Sequence, residues 1–148
     1  MNKKHLGLYA GSFNPFHIGH LNIVNQARNV FDKVLVAQGI NTEKDNKRKY
    51  QVPNSLNAVG IFTTTFDGLL TDLVKYWEKT YDVTLVRGLR NGNDLEYEQN
   101  LTAFLKDMYP SIKIVAFYCE PQYRHISSSS IRALEAIAPE EYKKYIVL

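Results

Sequence analysis

Ten consecutive residues, Gly11-Ser12-Phe13-Asn14-Pro15-Phe16-His17-Ile18-Gly19-His20, constrain this chain more than any other stretch. They follow an apolar run, His5–Ala10, that reads as a strand, and they precede Leu21–Phe31, which reads as an amphipathic helix. A Gly-Ser turn thus joins strand to helix, with two histidines three apart at the helix mouth. A helix N-terminus carries unpaired backbone N–H groups and the positive end of the helix dipole, so it attracts phosphate. Histidines placed there add donors or positive charge. Taken singly, a glycine turn or a capping histidine is commonplace. The whole string is more specific, because Gly11, Ser12, Pro15, His17, Gly19 and His20 each have a separate steric or chemical use, and it points to a nucleotide-handling enzyme.

The rest of the chain alternates strand and helix. Lys33–Gly39 contains the apolar run of a buried parallel strand. The polar, basic stretch Asn41–Asn54 reads as a loop, and Ile61–Phe66 is rich in β-branched and aromatic residues that favour a strand. Leu69, Leu70, Leu73, Val74 and Trp77 recur at helical spacing, with Asp67 as the expected cap. Asp82–Val86 and Ile112–Tyr118 read as strands, Asp94–Tyr109 as a helix stopped by Pro110, and Ser128–Ile137 and Pro139–Tyr145 as short helices. Such alternation implies an α/β fold: a parallel five-stranded sheet with helices on both faces, and a ligand site at the carboxyl ends of the strands.

Length and charge narrow the function classes. The 148 residues suit one domain, 1–148, with a proper core. A net charge of +3 permits small anionic ligands without demanding nucleic acid, so no nucleic-acid partner is expected. No segment approaches the ~18 apolar residues of a membrane span. The single Cys119 excludes an intrachain disulfide and fits a cytoplasmic protein.

Two further motifs carry chemistry. Arg87-Gly88-Leu89-Arg90 follows a strand and is followed by Asp94-Leu95-Glu96-Tyr97-Glu98. Guanidinium forks match phosphate oxygens, and Gly88 lets the backbone approach a ligand. Surface ion pairs of Arg87 and Arg90 with Asp94 or Glu98 are an equal alternative. The third motif, His125-Ile126-Ser127-Ser128-Ser129-Ser130-Ile131-Arg132, runs from a loop into a helix and offers hydroxyls and N–H groups to an anion.

The first string resembles the signature of the H-x-G-H nucleotidyltransferase superfamily, which has a Rossmann-like fold. R-G-L-R with D-x-E-Y-E, then I-S-S-S with a basic residue soon after, resembles its phosphopantetheine adenylyltransferase branch over nearly the whole chain. That resemblance implies transfer of an adenylyl group from ATP to 4′-phosphopantetheine, with Mg²⁺ carried mainly on the nucleotide phosphates; His17 and His20 lack a third ligand at metal-binding spacing, so no protein metal site is expected. It implies that Ser12 touches both substrates and that His20 stabilises the α-phosphorus, with Lys44 and Arg90 as further catalytic residues. Lys44 and Arg87 would grip the acceptor phosphate, and Leu70 would lie on the pantetheine arm. Phe13, His17, Gly88, Leu89, Arg90 and Glu98 would line the ATP site, and Tyr123, Ile126, Ser127, Ser128 and Ser129 would wrap adenine and triphosphate. A homo-hexamer is implied as well.

The chain departs from the family in having Asn14 where F-D-P is usual, and in a region, Val52–Val59, reduced from a well-formed helix. Adenylyl or cytidylyl transfer to another phosphate acceptor, such as nicotinamide or nicotinate mononucleotide, is the nearer alternative. A non-catalytic nucleotide-binding protein is the more distant one.

Overall fold

The computed structural model describes residues 2–40 and 50–148. Five strands, β1 (His5–Gly11), β2 (Lys33–Gly39), β3 (Phe62–Phe66), β4 (Asp82–Leu89) and β5 (Ile114–Tyr118), form one sheet in the order β3-β2-β1-β4-β5. Every pairing is parallel. The helices are α1 (Ile18–Arg28), α2 (Ser55–Ala58), α3 (Leu70–Trp77), α4 (Gly92–Met108), α5 (Ser128–Ile137) and α6 (Pro139–Tyr142). The chain builds outward from β1 to β3, then crosses back to place β4 on the other side of β1. Connections therefore diverge above β1 and β4 and leave a crevice at their carboxyl ends.

β1 is the central strand, and its side chains alternate between two cores. Leu6, Leu8 and Ala10 pack with Leu35, Leu85, Val74 of α3 and Leu105 of α4. Tyr9 packs on the opposite face with Val36, Val86 and α1 residues Ile23, Val24 and Ala27. Burial on both faces is why this strand reads as an unbroken apolar run. Each fully buried aliphatic side chain contributes about 1.5–3 kcal/mol, so the two cores hold the crevice rigid.

Several element boundaries differ from the sequence expectation. Helix α1 begins at Ile18 rather than Leu21, because His17 itself is the N-cap. Strand β4 continues through Leu89, so Arg87, Gly88 and Leu89 end a strand instead of following one. Asp67 does not cap α3, whose N-cap is Leu69 with no side-chain bond. Helix α4 starts at Gly92, where the Asn91 side chain accepts from the Asp94 N–H. Strand β3 begins at Phe62, β5 begins at Ile114, and α6 stops at Tyr142. The shortened region around Val52–Val59 folds as the single turn α2, pinned by buried Leu56.

Candidate active site

The crevice above β1 and β4 is a cavity of about 640 Å³, within the roughly 300–1,000 Å³ of typical small-molecule sites. Its two walls differ in chemistry because they belong to the two faces of the sheet. Toward α1 and α5 stand Ser12, Phe13, His17, His20 and the serines at 127–129. Toward α3 and α4 stand Phe66, Leu70 and Leu101, which pack on the core of the other face. Arg87, Gly88, Leu89, Arg90 and Glu98 lie between them.

The two histidines are locked by the backbone. His17 Nδ1 accepts from the Gly19 N–H at 3.1 Å and, more weakly, from the His20 N–H at 3.4 Å. His20 Nδ1 accepts from the His17 N–H at 3.1 Å. An imidazole that accepts at Nδ1 carries its proton on Nε2 when neutral, so both rings offer an Nε2–H donor. The rings stack 3.7 Å apart. Burial, helped by the Arg90 charge, pushes the His17 pKa down to about 4. Burial, then the neighbouring His17 and Arg90, holds His20 well below the ordinary histidine value. The pair therefore supplies neutral donors at physiological pH, which removes the positive-charge option read from the sequence. Gly19 is required by this packing: a Cβ there would lie 2.9 Å from His17 Cε1.

This burial has a consequence for stability. In the unfolded chain a histidine protonates near pH 6.5, whereas His17 in the fold resists protonation down to about pH 4. Between those values the unfolded state binds more protons, so stability falls as pH falls and is flat above pH ~7. We expect a loss of about 2 kcal/mol from His17 alone between pH 6.5 and pH 5. Chemical denaturation at each pH checks this, and a His17→Asn variant should show the shallower slope.

The capping pattern also decides which helix N-terminus is open. In α1 the Ile18 N–H donates to the Tyr145 carbonyl at 2.9 Å, and His17 takes the next two. That end is closed, contrary to the sequence expectation. In α5 the Ser127 hydroxyl accepts from the Ser130 N–H at 3.2 Å, and Ser130 Oγ accepts from the Ser127 N–H. The N–H groups of Ser128 and Ser129 have no acceptor among the described residues, so α5 is the helix end left open.

Both arginines are ion-paired, but on the cavity wall rather than on the open surface that the alternative reading supposed. Arg87 donates from Nε to Glu98 Oε2 at 2.6 Å and from Nη2 to Oε1 at 2.8 Å, and its Nη1 donates to the Ala10 carbonyl. Arg90 makes the same fork to Asp94 at 2.8 and 3.0 Å and reaches the Ile126 carbonyl. Each arginine uses three of five N–H donors, leaving two for a ligand. Gly88 owes its identity to α1, since a Cβ there would meet Ile23 Cγ1 at 2.9 Å.

Of the site residues expected from the sequence, all but three line the cavity. Tyr123 packs against the α1-side core, and Ile126 is buried and contributes only its carbonyl to Arg90. Lys44 lies outside the described residues. The motifs do not point to Tyr9, Phe66 and Cys119 on the wall, although Phe66 ends β3, Cys119 follows β5 and Tyr9 lies near the carboxyl end of β1, where ligands bind. It also missed Gln38, a buried amide whose Nε2 donates to the Ser12 carbonyl at 2.9 Å and whose Oε1 accepts from the Val52 N–H. Gln38 thereby ties the serine turn to the segment entering α2.

A parallel sheet with this order, a crevice at its switch point and neutral imidazole and serine donors on one wall define a nucleotidyltransferase. Residues 8–58 match the family model described as cytidylyltransferase-like. A phosphopantetheine adenylyltransferase from Porphyromonas gingivalis is 38% identical over 140 residues, spanning 89% of this chain and 88% of its own length. One from Mycoplasma mycoides subsp. mycoides is 35% identical over 135 residues, spanning 86% and 94%. The chain belongs to the phosphopantetheine adenylyltransferase family. Among solved structures, the nicotinic acid mononucleotide adenylyltransferase of Plasmodium falciparum complexed with NaAD superposes with a TM-score of 0.60, covering 97% of this chain and 90% of that one. At 18% identity that likeness establishes the shared fold.

Proposed function

We propose that this chain transfers the adenylyl group of ATP to 4′-phosphopantetheine, releasing pyrophosphate and forming dephospho-coenzyme A, a step of coenzyme A biosynthesis. The observation that carries this reading is the division of one cavity into a wall of neutral donors and an apolar wall. The donors suit a triphosphate. Phe66, Leu70 and Leu101 suit an extended, weakly polar arm and give a flat pyridine riboside no carboxamide partner.

The acceptor phosphate is already anionic at neutral pH. One of its oxygens attacks the α-phosphorus of ATP, the bond from that phosphorus to the bridging oxygen of pyrophosphate breaks, and pyrophosphate leaves with the electron pair. No general base or covalent protein intermediate is needed, so catalysis rests on positioning and charge stabilisation. In this scheme His20 donates from Nε2 to the α-phosphoryl oxygens as charge builds there. His17, Ser12 and the free N–H groups of Ser128 and Ser129 hold the triphosphate. Phe13, Gly88, Leu89 and Glu98 shape the nucleotide site with Ser127, and Arg90 turns its remaining donors to ATP. Arg87, Leu70 and Lys44 serve the acceptor.

Among the described residues no three His, Cys, Asp or Glu side chains converge, and the nearest carboxylates, Asp94 and Glu98, hold arginines. Mg²⁺ entering with ATP would take its oxygens from phosphates and water, with the Ser12 and Ser128 hydroxyls receiving those waters. When bound, the ion supplies charge neutralisation of the leaving pyrophosphate.

We further propose that residues 1–148 act as one nucleotidyltransferase domain in the cytoplasm. No helix among the described residues is long and apolar enough to cross a membrane. Family resemblance implies a homo-hexamer, and Tyr97, Phe104 and Met108 form an exposed apolar stripe on α4 that supports self-association.

Pyrophosphate release measured with ATP and each acceptor tests the assignment. kcat/KM with 4′-phosphopantetheine should exceed that with nicotinamide mononucleotide by roughly 100-fold or more. A higher value for the mononucleotide overturns the acceptor and leaves adenylyl transfer intact.

A further inference from the structure

Tyr9 lies in the carboxyl half of β1, paired between Val36 of β2 and Val86 of β4. Its ring packs edge-on against Phe13 at 5.2 Å and stands 6.3 Å from the His20 ring. The residue is 6% exposed. Its hydroxyl reaches beneath Gly88, where an added Cβ would lie 3.6 Å from the phenol oxygen.

That hydroxyl has no hydrogen-bond partner among the described residues, on either the donor or the acceptor side. Among those same residues no sealed side-chain nitrogen or oxygen is left unpartnered. The Tyr9 hydroxyl is consistent with that only because it opens into the cavity, whose wall it forms with His20, Ile23 and Cys119. The oxygen makes no bond within the protein, so packing alone would be served as well by a phenylalanine of the same shape. An apolar role therefore does not account for the oxygen, whereas a polar ligand atom in the cavity does.

The sheet face identifies the ligand. Tyr9 shares its face with Val36, Val86 and α1, the side that carries His17 and His20. The apolar wall of Phe66, Leu70 and Leu101 belongs to the opposite face. We propose that Tyr9 is a nucleotide-binding residue whose hydroxyl donates a hydrogen bond to an oxygen of ATP on the α1–α5 wall. This rests on the reading of that wall as the ATP site. Burial pushes the phenol pKa above the usual tyrosine value, outweighing the Arg87 charge that pulls it down, so Tyr9 meets the nucleotide as an O–H donor. It adds a third neutral donor beside the imidazole pair, on a strand whose burial on both sides keeps it from moving.

Tyr9→Phe removes the oxygen and little else. Calorimetric titration with MgATP, titration with 4′-phosphopantetheine and thermal unfolding of the ligand-free protein would be run on both forms. We expect Kd for ATP to rise about 5- to 30-fold, Kd for the acceptor to stay within about twofold, and the ligand-free Tm to be unchanged or higher. An ATP Kd within about twofold of wild type overturns the proposal. So does weakening of the acceptor alone, a lowered ligand-free Tm with both affinities kept, or failure to fold, since each assigns the hydroxyl elsewhere. If the wild-type protein itself fails to bind ATP, the nucleotide assignment of the wall falls first and this proposal falls with it.

Discussion

His20→Ala lowers kcat by about 10²–10⁴ while leaving KM for both substrates close to wild type. The expectation follows from three properties of the ring. It is neutral, held so by burial. Its Nδ1 is occupied by the His17 N–H, which fixes the proton on Nε2. Its orientation is set by stacking on His17 and by edge contact with Phe13 at 4.9 Å. A preorganised donor of this kind interacts most strongly when negative charge accumulates on the phosphoryl oxygens, so its loss appears in kcat. Alanine also strips the His17 N–H of its acceptor, which would confuse a structural effect with a chemical one. His20→Asn is the control: its short side chain can still accept from that N–H but cannot reach the Nε2 position. Equal losses of kcat in the two variants, with better stability for asparagine, would separate the roles. Activity within about threefold of wild type would remove His20 from catalysis.

The second large effect is on stability. Arg87 and Glu98 form a two-pronged ion pair with side chains only 16% and 12% exposed. Arg87 resists deprotonation because the Glu98 hydrogen bonds and charge outweigh its burial. Breaking such a pair from one side leaves a buried charge unpaired, at about 3–5 kcal/mol. Arg87→Leu should therefore destabilise the fold by that amount in urea titration. The double variant Arg87→Leu/Glu98→Leu should recover most of the loss, because neither charge is then stranded. Adenylyl transfer should not recover with stability, since Arg87 lines the cavity and its remaining N–H donors are lost in both variants. Recovery of activity with stability would reduce the pair to scaffolding. No recovery of stability would show that the bond from Nη1 to the Ala10 carbonyl, not the ion pair, holds this wall together.

What was legible in the sequence was short-range. His17 and His20 sit one helical turn apart, so their reciprocal capping follows from spacing once a helix begins there. The Ser127–Ser130 pair repeats the same logic at α5. The runs that became β1 and β2 announce themselves by being apolar throughout, which only a strand buried on both faces tolerates. Where local signals compete, the structure departs from them. Asp67 looks like a cap but falls two residues before the true one, and the Arg87-Gly88-Leu89 stretch looks like a loop but is held in ladder register with β5.

By itself, the sequence determined the alternation of strands and helices, the placement of both histidines at a helix mouth and the gathering of the motif residues at one edge of a parallel sheet, because these depend on periodicity and on contacts within a turn or two. Tertiary structure alone decided which groups remain free to act. The α1 N-terminus is shut by the Tyr145 carbonyl from the far end of the chain, whereas the α5 N-terminus stays open. Arg87 chose Glu98 and Arg90 chose Asp94. Gln38 bridges two turns, and the Tyr9 hydroxyl is left facing the cavity. Each of these outcomes depends on residues distant in sequence competing for the same donor or acceptor, and that competition is settled by packing rather than by local pattern.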